Sequence, residues 1–177
     1  MASLSDIIQG LIDTDKGIIS KLKKAKDNGV GSSMIDTTNQ SLTGTGAVTA
    51  DLEASNGNSY RAQTNGTSQC LYSGVFNNVK FGHYALCLRA KVNSNSSSNI
   101  LQLVVKNGSS VILTKNLTGE LFESTSKYGY IYSTFIFEGN GVTKNDLKFE
   151  LNSLTASGIV VNIDYVYISL IIPSVYV

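Results

Sequence analysis

The sequence predicts a mainly β protein, an antiparallel β-sandwich of the jelly-roll kind preceded by one N-terminal, coiled-coil-like α-helix. Three observations carry this. From Ala47 onward, short runs rich in Val, Ile, Tyr, Phe and Thr alternate with Gly and Asn turns. Ser, Thr, Asn and 16 Gly are abundant while Pro occurs once, which suits many strands joined by tight turns. The last long apolar run, Gly158 to Ile172, is crowded with β-branched and aromatic residues and is apolar on both faces from Tyr165 to Ile168. It reads as a central strand covered on both sides, whose one carboxylate, Asp164, requires a partner.

The elements follow in order. Over residues 3–28, Ser3 caps a helix with Asp6 three residues on, four lysines (Lys21, Lys23, Lys24, Lys26) complement the helix dipole, and Asn28-Gly29 stops it. Leu4, Ile8, Leu11, Asp15, Ile18, Leu22 and Ala25 alternate spacings of four and three, a heptad seam that makes residues 1–29 an oligomerisation helix and the protein a homotrimer. Ile7, Ile12 and Ile19 widen the stripe, so the same helix is also compatible with lying on the sandwich. Residues 30–46 are small, polar and glycine-punctuated and read as a linker, or as a segment running extended against a neighbouring chain.

Residues 47–177 form the sandwich, with strands expected at 47–54, 58–64, 68–76, 82–92, 99–106, 110–115, 128–138, 146–152 and 158–172. In 82–92, alternation turns Tyr84, Leu86, Leu88, Ala90 and Val92 inward and His83, Ala85, Cys87, Arg89 and Lys91 outward. Leu147, Phe149 and Leu151 face in likewise. Cys70 and Cys87 fall on successive strands that a hairpin would pair, which permits a disulfide, although two thiols are expected in a chain that opens without a secretory signal.

Several function classes are disfavoured at this stage. A net charge of +1 with 15% charged residues makes no basic field for nucleic acid. No run reaches the roughly 18 to 20 apolar residues of a membrane-spanning helix, so no membrane insertion is expected. The opening residues lack the apolar core of a signal peptide, which points to synthesis in the cytoplasm. One histidine and two unclustered cysteines leave zinc sites and catalytic triads without their parts. Glu120 and Glu123 share one loop with no aromatic pocket around them, a poor glycosidase pair, so the chain reads as a non-enzyme.

Two constellations remain. Tyr128, Tyr130, Tyr132 and Thr134 lie on one face of a strand whose other face carries Ile131, Phe135 and Phe137. An outward tyrosine ladder offers a platform for the C–H face of a sugar; the same face is equally suited to packing under a loop or a neighbouring subunit. Asp51 and Glu53, near the first sandwich strand, meet Asp164 on the last if those strands are neighbours, and three acids at one rim are candidate ligands for structural Ca²⁺.

Leu52-Glu-Ala-Ser-Asn-Gly57, Gly82-His-Tyr-Ala-Leu-Cys-Leu-Arg-Ala-Lys-Val92 and Val161-Asn-Ile-Asp-Tyr-Val-Tyr-Ile168 resemble successive strands of jelly-roll carbohydrate-binding modules and their galactose-binding-like relatives. The resemblance spans residues 47–170. It implies a sugar ligand and a structural calcium on Glu53 and Asp164, and it departs from the family in having no tryptophan platform. The order of heptad helix, linker and sandwich also resembles the tip of a phage tail fibre or receptor-binding protein. Together these imply a trimeric module on a virion or particle surface that recognises a cell-surface glycan, against the alternative of a purely structural assembly or decoration protein.

Overall fold

The computed structural model describes residues 32–38, 42–123, 125–138, 145–154 and 156–173. In chain order its strands are β1 (Ser32–Asp36), β2 (Ala47–Ala50), β3 (Asn58–Asn65), β4 (Cys70–Val79), β5 (Gly82–Val92), β6 (Asn99–Asn107), β7 (Ser110–Thr118), β8 (Gly129–Phe137), β9 (Asn145–Ser153) and β10 (Ser157–Pro173). They form two antiparallel sheets. Six strands make one, in the order β2-β3-β10-β5-β8 with β1 also on β10, and four make the other, β4-β9-β6-β7. All nine strands expected from the pattern are present. The predicted helix at 1–29 lies outside the described residues. Among the described residues no helix is long and apolar enough to cross a membrane.

The core lies between the sheets. Leu86, Leu88, Ala90 and Val92 of β5 and Val161, Ile163, Val166 and Ile168 of β10 pack in one cluster with Leu71 and Phe76 of β4, Leu103 and Val105 of β6, and Phe149 and Leu151 of β9. Alternation is the cause: every second residue of β5 is buried, in the phase expected from its sequence. Tyr60 of β3 meets Tyr72 of β4 edge to face at 5.1 Å, joining the two sheets by an aromatic pair.

β10 organises the larger sheet. One of its edges pairs with β5 from Val161 to Pro173. Its other edge is shared, by β3 opposite residues 157–163 and by β1 opposite residues 165–169. The changeover falls at Asp164, where a β-bulge carries the pairing with β5 from Ile163↔Ala90 to Tyr165↔Arg89. The extra residue shifts the alternation. Ile163 faces the core before the bulge and Val166 after it, while Tyr165 and Tyr167 cluster with Met34 on the opposite face.

Three expectations need correction. Residues 32–36 belong to no linker: they are strand β1, hydrogen-bonded along β10 of the same chain. The reason is the pair Met34-Ile35, two apolar residues in succession, one for each face. Ile35 is fully buried in the core and Met34 is buried against the outer tyrosines. A Cβ added at Gly74 of β4 would lie 2.7 Å from Cγ2 of Ile35, so the glycine leaves the space this side chain fills. Second, the strand expected over 47–54 ends at Ala50; residues 51–57 form a turn closed by hydrogen bonds from Asp51 N–H to the Gly57 carbonyl (2.9 Å) and from Gly57 N–H to the Ala54 carbonyl (3.1 Å). Third, β4 and β5 lie in different sheets, so Cys70 and Cys87 are not hairpin neighbours; both are free thiols, the state expected of them.

If Ile35 anchors β1 as its burial indicates, Ile35→Ala will destabilise the protein by about 2–5 kcal/mol in urea unfolding, through lost transfer energy and a residual cavity. Amides of 32–36 will then exchange faster than those of β5. A cost below about 0.5 kcal/mol, the range of a surface substitution, would show that β1 adds little to the fold.

Candidate ligand-binding face

The outer face of the six-stranded sheet carries both constellations. Opposite pairs across β5 and β8 place Arg89 beside Tyr130, Cys87 beside Tyr132 and Ala85 beside Thr134. On the other side of β5, Tyr165 lies opposite Arg89 and Tyr167 opposite Cys87. Arg89 and Lys91 point outward, as the alternation of β5 requires, and both are half-buried.

The tyrosines are not equivalent. Tyr128 is buried; its hydroxyl donates to Oδ2 of Asp51 at 2.8 Å, and the Arg89 guanidinium and the Lys91 ammonium each lie 4.7 Å from its ring centroid. Burial raises the Tyr128 phenol well above its ordinary pKa, and the neighbouring Asp51 carboxylate adds to the effect. Tyr130 is half-buried and Tyr132 is 65% exposed. Their rings run nearly parallel, 16° apart with centroids separated by 6.2 Å. Thr134 continues the row and is exposed. The Lys115 ammonium of β7 donates to the Tyr132 carbonyl at 2.7 Å, tying this edge to the second sheet.

Asp51, Glu53 and Asp164 are brought to one region because the 51–57 turn folds over the outer face. Asp164 is buried in an ion pair with Arg89, and it also accepts hydrogen bonds from the Ser55 N–H (3.0 Å) and hydroxyl (2.9 Å). Lys91 lies 2.9 Å from both Asp51 and Glu53. Asp51 Oδ2 further accepts from Ser59 (3.3 Å) and from the Asn162 amide (3.3 Å). Burial works to raise the Asp51 carboxyl, but hydrogen bonds from Lys91 and Tyr128 and the Lys91 charge hold it below the usual range.

This donor set does not fit a divalent cation. Each carboxylate contacts a side-chain cation, Asp164 through Arg89 and Asp51 and Glu53 through one shared Lys91, and among the described residues no three His, Cys, Asp or Glu side chains are grouped to hold a metal. The carboxylate oxygens that a calcium ion would take are engaged by Arg89 and Lys91. Sequence reasoning put both cations on the outward face but gave them no role. The signal was there: two cations two residues apart on the strand that pairs with the one bearing Asp164. Ser55, Ser59 and Asn162 carried no such signal. Glu120 and Glu123 are exposed and take no part.

No protein-family model matches the sequence, and none of the curated proteins searched matches it. Solved structures do resemble the fold. The CBM35 of Abf62 from Cellvibrio japonicus shares 15% identity over 77% of this chain and 91% of its own, with a TM-score of 0.55. A family 35 carbohydrate binding module from Clostridium thermocellum gives 11% identity, 78% and 98% coverage and a TM-score of 0.54. The CBM36-1 domain of a multidomain xylanase from the hindgut metagenome of Trinervitermes trinervoides gives 16%, 82% and 99%, and 0.50. The fold is therefore a β-sandwich of the type found in carbohydrate-binding modules.

Two outcomes test this reading of the charges. Asp164→Ala, which strands Arg89 half-buried without its counter-charge, will cost about 3–5 kcal/mol in urea unfolding, while a calcium chelator leaves the melting temperature of the wild type unchanged. A chelator that lowers melting would restore the metal reading.

The second outcome concerns acid. Glu150 is held like Asp51: burial would raise its carboxyl, but Lys106 (2.6 Å) and Lys148 (2.9 Å) keep it below its ordinary value. A carboxyl depressed in the folded state stays ionised while its unfolded counterpart takes up a proton. Its contribution is thus complete above the ordinary carboxyl pKa of about 4 and is lost as pH falls through the lower folded value. Melting will hold steady down to about pH 5 and fall below about pH 4, and Asp51→Asn with Glu150→Gln will flatten that fall. An unaltered slope in the double variant would assign acid sensitivity to other groups.

Proposed function

We propose that this chain is a non-catalytic glycan-binding module that engages a neutral cell-surface glycan through the outer face of the six-stranded sheet. The observation that carries the reading is the parallel pair Tyr130 and Tyr132, held near-coplanar in direction at 6.2 Å with Tyr132 open to solvent. A pyranose packs its C–H face on such rings while their hydroxyls and Thr134 supply uncharged hydrogen bonds. Tyr128, predicted to belong to the platform, serves instead as its buried support, clamped between Asp51 and the two cations. The likeness of the fold to carbohydrate-binding modules supports this choice of ligand, as does the absence of a catalytic constellation in the sequence.

The trimeric, fibre-like context belongs to the proposal and rests on the heptad seam of residues 1–29, outside the described residues. Purely structural assembly is the second reading, and it is favoured by Ile136 and Ile171, which are exposed apolar residues 48% and 53% accessible to solvent.

Stacking on one ring contributes about 1 kcal/mol, so a single site will bind in the millimolar range or slightly tighter. Three copies acting together raise apparent affinity by roughly 10²- to 10⁴-fold where geometry permits. On a glycan panel, Tyr130→Ala with Tyr132→Ala will reduce binding about tenfold or more at unchanged melting temperature. Equal binding by the double variant would move the ligand elsewhere, and no binding by either protein would favour the structural reading.

A further inference from the structure

Beyond the tyrosine pair, the same face holds a second, more polar recess of about 320 Å³, lined by Arg61 of β3, Lys91 of β5, Asn162 and Val160 of β10, and Asn93 and Thr125 from the adjoining loops. Its volume lies at the lower end of the range for small-molecule sites and matches a ligand the size of one sugar ring.

The two cations of this recess differ in what they have left to offer. Lys91 is already shared between Asp51 and Glu53 at 2.9 Å each. Arg61 is exposed and forms no ion pair with any described residue. Its register neighbour across β10 is Asn162, which turns its guanidinium to the face where the recess opens.

The amides are committed in a directed way. Asn93 uses its side-chain oxygen to accept from Val160 N–H at 2.7 Å, which leaves its NH₂ to donate. Asn162 uses its NH₂ on Asp51 (3.3 Å) and Ser59 (3.1 Å), which leaves its oxygen to accept. One uncommitted guanidinium, one donor, one acceptor and the apolar Val160 wall are thus placed around a single small volume.

We infer that this recess binds a sugar acid, a pyranose carrying one carboxylate, with Arg61 on the carboxylate and Asn93 and Asn162 on ring hydroxyls. A guanidinium forks onto a carboxylate through two parallel N–H···O bonds. A doubly charged phosphate would find only one available cation and would approach the acids that hold Lys91. The inference rests on the glycan reading only for the choice of a sugar to carry the carboxylate.

The test is titration of the full chain, followed by NMR or calorimetry, with sodium glucuronate, sodium N-acetylneuraminate, glucose and sodium acetate. The two sugar acids place the carboxylate on different ring carbons, so whichever binds identifies the source. At least one will bind, with glucose and acetate weaker by about tenfold or more. Arg61→Gln will weaken the sugar acid by about tenfold or more at unchanged melting temperature, and Tyr132→Ala will leave it unaltered. The inference is overturned if neither acid binds, if glucose or acetate binds as tightly, or if Arg61→Gln has no effect. Neutral oligosaccharide binding and its sensitivity to Tyr132→Ala are read on the same samples, so failure of this site and failure of the tyrosine site give different results.

Discussion

The buried pair between Asp164 and Arg89 is the interaction on which the architecture turns. β10 runs for 17 residues through the middle of its sheet, and a strand of that length must keep two edges hydrogen-bonded and two faces covered. The bulge at Asp164 lets it do so. There the partner on one edge changes from β3 to β1, and the core-facing positions shift from Val161 and Ile163 to Val166 and Ile168. A carboxylate at this position would be costly unpaired. The guanidinium of Arg89, on β5 beside the bulge, and the two Ser55 donors satisfy it.

Those same bonds fix the outer face. Ser55 belongs to the 51–57 turn, so its bonds to Asp164 pin that turn over the sheet and carry Asp51 and Glu53 to Lys91. The result is an outer face of two characters. Around Arg89 and Lys91, each acid has a cationic partner, and Tyr128 lies beneath both cations. Toward Tyr132, Thr134 and Ile136, the face is open to solvent. An aromatic ring whose neighbour is locked by ion pairs and cation–π contacts is pre-organised, and little side-chain entropy is lost when a ligand settles on it. On the proposed glycan-binding reading, the charged region stiffens the surroundings of the ring pair, and Arg61, which stands outside this ion-paired set, keeps a guanidinium available.

Electrostatics also accounts for the close approach of the acids. Three carboxylates in one region repel each other, and either a divalent ion or side-chain cations can offset that. Here the strand that pairs with β10 brings Arg89 and Lys91 two residues apart, with the spacing of one sheet face. Arg89 answers Asp164 and one Lys91 is shared by Asp51 and Glu53, so two cations of the chain itself offset most of the repulsion among three acids.

By itself the sequence determined the class of fold and much of its detail. Period-two alternation in β5 and in Leu147, Phe149 and Leu151 decided which residues enter the core, because burying one face of a strand leaves no other phase. Turn residues marked nearly every strand boundary, and the parity of β8 put Tyr128, Tyr130, Tyr132 and Thr134 on one side. Tertiary structure decided what local pattern does not encode. The Met34-Ile35 pair becomes a strand only because β10 has a vacant edge beyond its bulge and Gly74 leaves a hollow under Ile35. Cys70 and Cys87 part company because β4 and β5 enter different sheets. Tyr128 is buried and Tyr132 exposed because a turn some 75 residues earlier folds over one and not the other, the Tyr128–Asp51 bond spanning 77 positions. Contacts at that separation depend on strand order, which alternation along a single strand does not specify.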